Sequence, residues 1–232
     1  MAALDFSRPV LVLEAATSAG SVALLLPSGD TPAVAVPMGA GAADGLFPAI
    51  TALLRAHAVD VGALGAVVCG AGPGSFTSLR IAAALAKGIA HGAGRPLYAV
   101  PSLALAAAAL PSQAEVGAFL VHADALRGER YALEVVRDAS GQVSWSEAPR
   151  RRSIDDLREA SVPLVSVGPS PAALTSAYEL WPEASAARRA DGRWREAPVD
   201  LRGWEPLYGR LAEAQVKWEA SHGRPLPDVR DA

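Results

Sequence analysis

GAVVCGAGPGSFTSLRIAAALAKGIAHGAGRPLYAVP, residues 65–101, is the stretch around which the rest of the chain is organised. Within it a short apolar run, Val67–Cys69, ends in a glycine-rich turn at Gly70–Gly74, and a stretch rich in alanine, leucine and isoleucine runs from Thr77 to Ile89. This pattern predicts a strand, a tight loop and a helix. Glycine takes backbone angles closed to other residues, and Ser75 or Thr77 can cap the helix. Free backbone N–H groups at such a helix start would suit an anion.

Three common motifs do not fit this loop. A P-loop needs Gly-Lys-Ser/Thr, but no lysine precedes Lys87, and the dinucleotide pattern has Ser75 where its third glycine belongs. A serine-hydrolase elbow would need glycine at Pro73 and Thr77. Two interpretations stay open, a cap with a turn or an anion contact. The residues of the possible anion or nucleotide contact are Gly72, Gly74, Ser75 and Thr77.

The stretch resembles the signature G-x-G-P-G-S-F-T-G-x-R-x-G of the TsaB family, also called YeaZ, bacterial proteins required for making threonylcarbamoyladenosine in tRNA. The matching residues are Gly70, Gly72, Pro73, Gly74, Ser75, Phe76, Thr77 and Arg80. Ser78 and Ala82 replace family glycines. Residues 11–26 resemble the opening hairpin of the family, residues 124–131 its D-A-R-x-x-E-V-Y segment and residues 205–208 its E-P-x-Y segment. The resemblance covers most of the chain.

The order of predicted elements is three strands, a helix, the central strand and helix, and a further strand. This order is that of a half-domain in the actin/hexokinase/heat-shock ATPase superfamily, to which the resemblance assigns TsaB. We therefore predict an α/β protein with two tandem βββαβα-type half-domains, the second one shortened. The predicted divisions are residues 1–100, residues 101–204 and a C-terminal helix and tail at 205–232.

Several local predictions accompany this fold. Asp44 is a plausible N-cap for a helix over residues 45–57, and Ser102 for an alanine-rich helix to Leu110. Residues 171–180 are predicted as a helix and residues 206–221 as the last helix. Residues 182–204, rich in Arg, Ala, Pro, Gly and Asp, are predicted to be the least ordered stretch.

The composition excludes several classes of function. The chain has 232 residues, of which 51% are hydrophobic and 19% charged, with a net charge of −3, so no basic face for a direct grip on tRNA is indicated. No apolar run approaches the length of a membrane span and the first residues lack a signal-peptide pattern, so we expect a cytoplasmic protein with no membrane contact. The single cysteine, Cys69, excludes an internal disulfide, and four scattered histidines predict no metal site.

The first hairpin could carry chemistry. The resemblance implies Asp-Thr-x-Thr/Ser at the place of Glu14-Ala-Ala-Thr17, and the superfamily's ATPases use an acid and hydroxyls there to hold magnesium and phosphate. Glu14 keeps the charge on a longer side chain and Ala15 lacks a hydroxyl. We interpret Glu14 and Thr17 as a degenerate phosphate hairpin, with a structural role of Glu14 equally open, and we assign no catalytic residue.

The N-terminal half carries only five acids and five bases in its first 100 residues, which favours a covered surface there. The helix over residues 77–91 is apolar nearly all round, and together with the helix over 45–57 it is the predicted partner interface. The alternative is burial of that helix within one chain. The predicted interface residues are Phe47, Ile50, Leu54, Leu79, Ala83 and Lys87.

The resemblance implies a noncatalytic partner of the catalytic subunit TsaD in threonylcarbamoyl transfer to the adenosine next to the anticodon. It further implies a TsaE-like ATPase in the same complex, self-pairing as a second mode, tRNA reached indirectly, no cofactor of the chain's own, and ATP or ADP only at the interface with TsaD. The alternative is an enzyme in its own right, either an ATPase or kinase of this fold or a glycoprotease-like peptidase.

Overall fold

The computed structural model describes residues 3–38, 45–126, 128–208 and 221–223. The first half contains a five-stranded sheet in the order β3-β2-β1-β4-β5, in which β1, β2 and β3 are antiparallel and β4 and β5 run parallel to β1. Its elements are β1 (Val10–Glu14), β2 (Ala19–Leu25), β3 (Ala33–Pro37), α1 (Leu46–Ala56), β4 (Ala66–Gly70), α2 (Phe76–Ala93) and β5 (Leu97–Val100).

These elements confirm the strand, loop and helix predicted from residues 65–101. Strands β1 and β4 are buried along their whole length, as expected of central strands that are covered on both faces. Helices α1 and α2 cover one face of the sheet with an apolar cluster that includes Leu13, Ile50 and Ala86. α2 ends at Gly94, whose φ of 61° is the left-handed conformation that commonly follows a helix.

The second half contains a mixed sheet in the order β11-β10-β6-β7-β8-β12, with β9 paired to β7. Its elements are α3 (Ser102–Ala108), β6 (Gly117–Leu126), β7 (Glu129–Arg137), β8 (Val143–Ser144), β9 (Arg150–Ser153), α4 (Ile154–Arg158), β10 (Leu164–Val167), β11 (Tyr178–Leu180) and β12 (Ala190–Asp191). The chain is thus an α/β protein of the actin-like class, as predicted.

Helix α3 is buried at every one of its residues. It lies between the two sheets in a cluster that joins Val12 and Leu25 of the first sheet to Val121 and Leu133 of the second. Since alanine and leucine fill this layer, the two halves share one core. The proposed divisions of the chain at residues 100 and 204 stay predictions.

Two local predictions are wrong. Residues 171–177 form turns instead of a helix, and Tyr178–Leu180 pairs with β10 as a parallel strand. Residues 182–204 are packed instead of poorly ordered: short 3-10 turns at Ala184–Arg188 and Arg193–Arg195 enter the core between the sheets. Small alanines fit the narrow space there, so the segment needs no long apolar pattern to be buried.

The outer side of α2 is partly covered by the chain itself. Val199, Leu201 and Trp204 pack against the cluster under α1 and α2, and the Val199 N–H donates to the Leu97 carbonyl at 2.8 Å. This contact supplies, from the same chain, some of the apolar cover that the sequence attributes to a partner.

Some predictions lie outside the described residues. Asp44, predicted as an N-cap, is one of them, and α1 has Gly45 at its N-cap position without a side-chain cap. Most of the final helix over 206–221 is another: of its described residues, 206–208 are not helical and Ser221 is helical. Among the described residues, no helix is long and apolar enough to cross a membrane.

Candidate functional site: the glycine loop and the first hairpin

The glycine loop joins β4 to α2 and is shaped by close backbone contacts. Gly72 has a φ of 80°, and a side chain there would press on the Leu207 carbonyl. Gly74 has no such positive φ; instead, a side chain at Gly74 would overlap the backbone of Ala16 in the β1–β2 turn. The loop therefore needs its glycines for two different reasons, backbone conformation at Gly72 and close approach at Gly74.

Three backbone donors of this loop point into the chain. The N–H groups of Ala71 and Ser75 donate to the Val100 and Ala16 carbonyls, each at 2.7 Å. The Gly72 N–H donates to the Ser102 hydroxyl at 3.1 Å. Because these donors have internal acceptors, the described loop offers fewer free N–H groups to an anion than its sequence suggests. The anion contact at Gly72, Gly74, Ser75 and Thr77 stays a prediction.

The predicted capping of α2 by a side chain is wrong. Ser75 occupies the N-cap position, but its hydroxyl accepts a hydrogen bond from the Ser78 hydroxyl at 3.1 Å and makes no cap bond to the backbone. Thr77 lies exposed in the first turn. Ser78 is the residue at the family's glycine position, so its hydroxyl draws Ser75 away from the role that propensity assigns to it.

Glu14 is fully buried at the end of β1. Its carboxylate accepts from the Ala16 N–H at 2.6 Å and from the Ser102 hydroxyl at 2.8 Å. Burial raises the pKa of Glu14 to about 7, against the opposing effect of these hydrogen bonds. Ser102, predicted as a helix cap, instead bridges Glu14 to Gly72. Glu14 thus joins the hairpin, the glycine loop and α3.

The other hairpin residues also serve local structure. Thr17 donates its hydroxyl proton to the Ala19 carbonyl at 3.0 Å and accepts from the Ala19 N–H at 3.2 Å, which closes the turn. Cys69 is buried beside Glu14, and burial together with the Glu14 charge raises its thiol pKa. The described geometry thus favours the structural interpretation of this hairpin, which the sequence left equally open.

The segment Glu205–Tyr208 lies directly on the glycine loop. The Leu207 N–H donates to the Ala71 carbonyl at 2.8 Å, and the rings of Tyr208 and Phe76 are 4.8 Å apart. The Arg80 guanidinium lies 5.0 Å from the centre of the Phe76 ring. Two segments that resemble family motifs and lie far apart in the sequence are therefore in contact, which sequence reasoning did not anticipate.

The predicted partner-interface residues fall into two groups. Ile50, Leu54, Leu79 and Ala83 are buried in the chain's own core, so the prediction that their side chains meet a partner is corrected. Helical periodicity marks both an inner and an outer face on α2, and only packing against the sheet distinguishes them. Of the remaining two residues, Phe47 is 60% exposed and Lys87 lies 5.8 Å from the centre of the Trp204 ring.

A second buried polar cluster lies in the other half and was missed. His122 on β6 is fully buried, and its Nδ1 accepts from Nε of Arg130 on β7 at 3.1 Å. This leaves Nε2 to donate to the Ser176 hydroxyl at 3.1 Å. Burial first and then the charge of Arg130 lower the pKa of His122 to about 4. The sequence held one signal for this cluster. Val121 and His122 are neighbours on β6, as Arg130 and Tyr131 are on β7, so the two polar side chains point to the opposite face of the sheet from the two apolar ones.

Three consecutive arginines that could contact tRNA phosphate are each paired with an acid. Arg150, Arg151 and Arg152 form ion pairs with Glu147, Glu129 and Glu134 at 3.0–3.3 Å. Within the described residues, no group of three metal-ligating side chains comes together.

Fold and loop together define an actin-like α/β protein whose glycine loop is closed by its own hairpin and C-terminal segment. A family model described as TsaD, tRNA N6-adenosine threonylcarbamoyltransferase, matches residues 42–145. The chain is 28% identical over 144 residues to the tRNA threonylcarbamoyladenosine biosynthesis protein TsaB of Escherichia coli, covering 60% of this chain. It is 42% identical over 89 residues to an uncharacterized protein of Mycobacterium tuberculosis, covering 38% of this chain and 40% of that protein.

A crystal structure from Pseudomonas aeruginosa, of an uncharacterized protein with similarity to peptidase YeaZ, superposes with a TM-score of 0.69 at 25% identity. The superposition covers 88% of this chain and 100% of the Pseudomonas aeruginosa chain. The match to the Escherichia coli protein spans 58% of that protein's length. Together these similarities in sequence and in fold indicate the TsaB/YeaZ family.

Proposed function

We propose that the chain is a noncatalytic partner of a TsaD-like catalytic subunit and supports threonylcarbamoyl transfer to the anticodon-adjacent adenosine of tRNA in the cytoplasm. Membership of the TsaB/YeaZ family supports the pathway, because the Escherichia coli relative is named for threonylcarbamoyladenosine biosynthesis. In this proposal a TsaE-like ATPase joins the complex, tRNA is reached through the partners, and the chain pairs with itself when the TsaD-like subunit is absent.

The exposed surface of α1 and α2 carries this proposal. Phe47 is 60% exposed near the start of α1. On α2, Ala84 and Gly88 are exposed, between half-buried apolar residues such as Ile81 and Leu85. Small residues on a helix let a second helix approach closely, and exposed aromatic side chains are enriched at protein interfaces. The surface is therefore better suited to contact with a helix of another chain than to exposure to solvent.

The environment of Glu14 supports the noncatalytic part of the proposal. A magnesium-binding carboxylate must reach the metal, whereas this one is buried and accepts two internal hydrogen bonds. ATP or ADP, in this proposal, binds only where the TsaD-like subunit adds further contacts. The isolated chain is expected to hydrolyse ATP no faster than a buffer blank. Steady turnover that Glu14→Ala abolishes would make the chain an ATPase in its own right.

The interface is tested with two single variants, Phe47→Asp and Ala84→Arg, each analysed by co-elution with the TsaD-like subunit of the same organism. Ala84 is chosen because it is exposed, whereas a charge at the buried Ala83 would disturb the core. Each variant should weaken association by about 2 kcal/mol or more, roughly 30-fold, because a charge would be buried in the interface.

The matched control is Val116→Asp, a similar change at a residue that is 62% exposed and directly precedes β6 in the second half. It should bind as the unmodified chain does. Phe47→Asp and Ala84→Arg proteins that keep their melting temperature and still co-elute would place the interface elsewhere. Failure of the unmodified chain to bind the TsaD-like subunit would contradict the partner role itself.

A further inference from the structure

Residues 199–208, which we call the strap, run along one side of α2. At one end the Val199 N–H donates to the carbonyl of Leu97, which lies on β5 just after α2, at 2.8 Å. At the other end the Leu207 N–H donates to the carbonyl of Ala71, in the loop before α2, also at 2.8 Å. The strap therefore follows α2 from its C-terminal end to its N-terminal end.

Aromatic side chains of the strap contact side chains of α2. The Lys87 ammonium lies 5.8 Å from the centre of the Trp204 ring, and the rings of Tyr208 and Phe76 are 4.8 Å apart at the start of the helix. The Arg80 guanidinium lies 5.0 Å from the centre of the Phe76 ring. Contacts between cations and aromatic rings are attractive, so the strap and this side of α2 form one continuous surface.

The strap and α1 lie on opposite sides of α2. α1 packs over β2 and β3, whereas α2 packs over β1, β4 and β5. Because the sheet order is β3-β2-β1-β4-β5 and the strap is bound to β5, α2 lies between α1 and the strap. Ala84 and Gly88 are exposed on α2, and a Cβ atom at Gly88 would have no neighbouring atom within 4 Å. The partner surface proposed above is therefore bordered by the strap.

A cavity of about 870 Å³ lies between α2 and the strap. Its lining includes apolar surface from Gly88 and Leu201 and the basic residues Lys87, His91 and Arg202. An apolar surface with basic side chains around it suits a carboxylate that is carried on an apolar segment of protein. A free inorganic anion would meet the basic residues and leave the apolar lining exposed to solvent.

Asp200 also lines the cavity and offsets part of this positive charge. Its carboxylate accepts from the Arg202 and Gly203 N–H groups at 3.2 and 2.9 Å, and these two bonds lower the pKa of Asp200. Asp200 is therefore ionised at neutral pH and is engaged in a turn of the strap itself. Lys87 and Arg202 together still leave an excess of positive charge, which protonation of His91 would increase.

We propose that the TsaD-like subunit places an acidic side chain in this cavity, so that the strap forms the second side of the partner-binding surface. The acidic side chain pairs with Lys87 and Arg202, while the apolar part of the same segment covers Ala84, Gly88 and Leu201. The basic pair then selects which segment of the partner binds and in which register. The inference rests on the proposed function, because it specifies the chemistry of the partner at the surface named there.

Charge reversal on the strap tests the inference. Arg202 is exposed, so Arg202→Glu should fold, and the Kd for the TsaD-like subunit of the same organism is measured by titration calorimetry. At about 0.1 M salt the variant should bind about tenfold or more weakly than the unmodified chain. At about 1 M salt most of this difference should vanish, because the Debye length falls from about 10 Å to about 3 Å.

The matched control is Arg150→Glu, which makes the same change of net charge on β9 of the second sheet. The Arg150 side chain is 68% exposed and forms a surface ion pair with Glu147. Surface pairs of this kind contribute little, and the residue lies outside the cavity, so the Kd should stay within about twofold of the unmodified value.

Gly88→Leu tests the cavity without a change of charge. Leucine is a better helix former than glycine and has free space at this position, so the melting temperature should not fall. The leucine side chain would occupy space that the partner needs, and association should weaken about tenfold or more at both salt concentrations. Gly88→Ala, which adds a single methyl group, should have a smaller effect.

The outcomes separate this inference from the partner role. An Arg202→Glu chain that keeps its melting temperature and binds as Arg150→Glu does would overturn the inference, and so would a Gly88→Leu chain that binds as the unmodified chain does. In either case, weaker binding by Ala84→Arg would leave the partner role in place. If the unmodified chain does not bind the TsaD-like subunit, the partner role fails and this inference fails with it.

Discussion

Glu14 in the first half and His122 in the second half are both fully buried among hydroxyl groups, and burial disfavours the charged form of each. The pKa of Glu14 is raised to about 7, whereas that of His122 is lowered to about 4. Glu14 accepts from the nearby Ala16 N–H and from the Ser102 hydroxyl of a sequence-distant segment, and it changes protonation state close to neutral pH. His122 lies beside the Arg130 cation and must stay neutral to accept its hydrogen bond.

The comparison shows two ways of keeping a polar group inside a small α/β protein. In the first half the surrounding backbone is closely packed, since the hairpin and the glycine loop touch directly at Ala16 and Gly74. In the second half the cluster ends in the hydroxyls of Ser176 and Ser170, 2.9 Å apart in a half-buried loop. We therefore expect substitutions around Glu14 to cost more than equivalent ones around His122.

The largest expected difference is between two glycines. Gly74→Ala should destabilise the protein by about 3 kcal/mol or more, because the new methyl group meets the Ala16 backbone, which cannot move without breaking the hairpin. Gly168→Ala, in the loop after β10, should cost about 1–2 kcal/mol: its φ is 75°, but the neighbouring atom belongs to the Trp181 side chain, which is 41% exposed and can shift. Urea unfolding measures both, and equal costs would contradict the assumed rigidity of the first site.

The pH dependence of stability separates the two groups. The folded state keeps His122 neutral, so its contribution is present above the ordinary pKa of about 6.5 and is lost as pH falls towards 4. The folded state favours protonated Glu14, so its contribution is present below about 4.5 and is lost as pH rises through about 7. Between about pH 5 and 6.5 the two contributions to the free energy of unfolding change in opposite directions with pH. The free energy of unfolding of the unmodified protein should therefore vary little in this range.

Replacing one of the two residues should reveal how the other makes the free energy of unfolding depend on pH. Glu14→Gln should make the free energy of unfolding rise from about pH 5 to 6.5, and His122→Asn should make it fall from about pH 5 to 7, each by at most about 3 kcal/mol over the full titration range. Urea titrations at a series of pH values measure these slopes. A flat profile in either variant would show that the pKa of the remaining group is not shifted in the folded protein.

The smallest expected difference is between two serine hydroxyls. Ser102→Ala should cost about 2 kcal/mol, because it leaves the buried Gly72 N–H without its acceptor and removes a donor from a buried carboxylate. Ser176→Ala should cost about 1 kcal/mol or less, since that residue is half-buried and water can replace the hydroxyl. Thermal unfolding at neutral pH compares them, and a larger loss for Ser176→Ala would reverse the ranking of the two clusters.

The sequence by itself determined the fold class, because the pattern that specifies it is local. The apolar run before Gly70, the glycines and the long alanine-rich stretch identify a strand, a loop and a helix without reference to any other part of the chain. The same stretch carries the family signature, so the assignment to TsaB/YeaZ also followed from it. Short apolar runs at residues 10–14, 97–100 and 164–167 likewise coincide with β1, β5 and β10.

Only the tertiary structure decided which polar groups are buried and which helix faces are covered. Glu14, Ser102 and Gly72 are far apart in sequence, and His122 meets Ser176 from another loop, so no local pattern shows which residues come together in either cluster. The alanines of residues 184–190 are buried because a narrow layer between two sheets accepts small side chains. Residues 171–180 lack a helix because β10 offers an edge to Tyr178–Leu180. The free energy of such contacts depends on surfaces that exist only once the chain has folded, so propensity and periodicity along the sequence do not contain it.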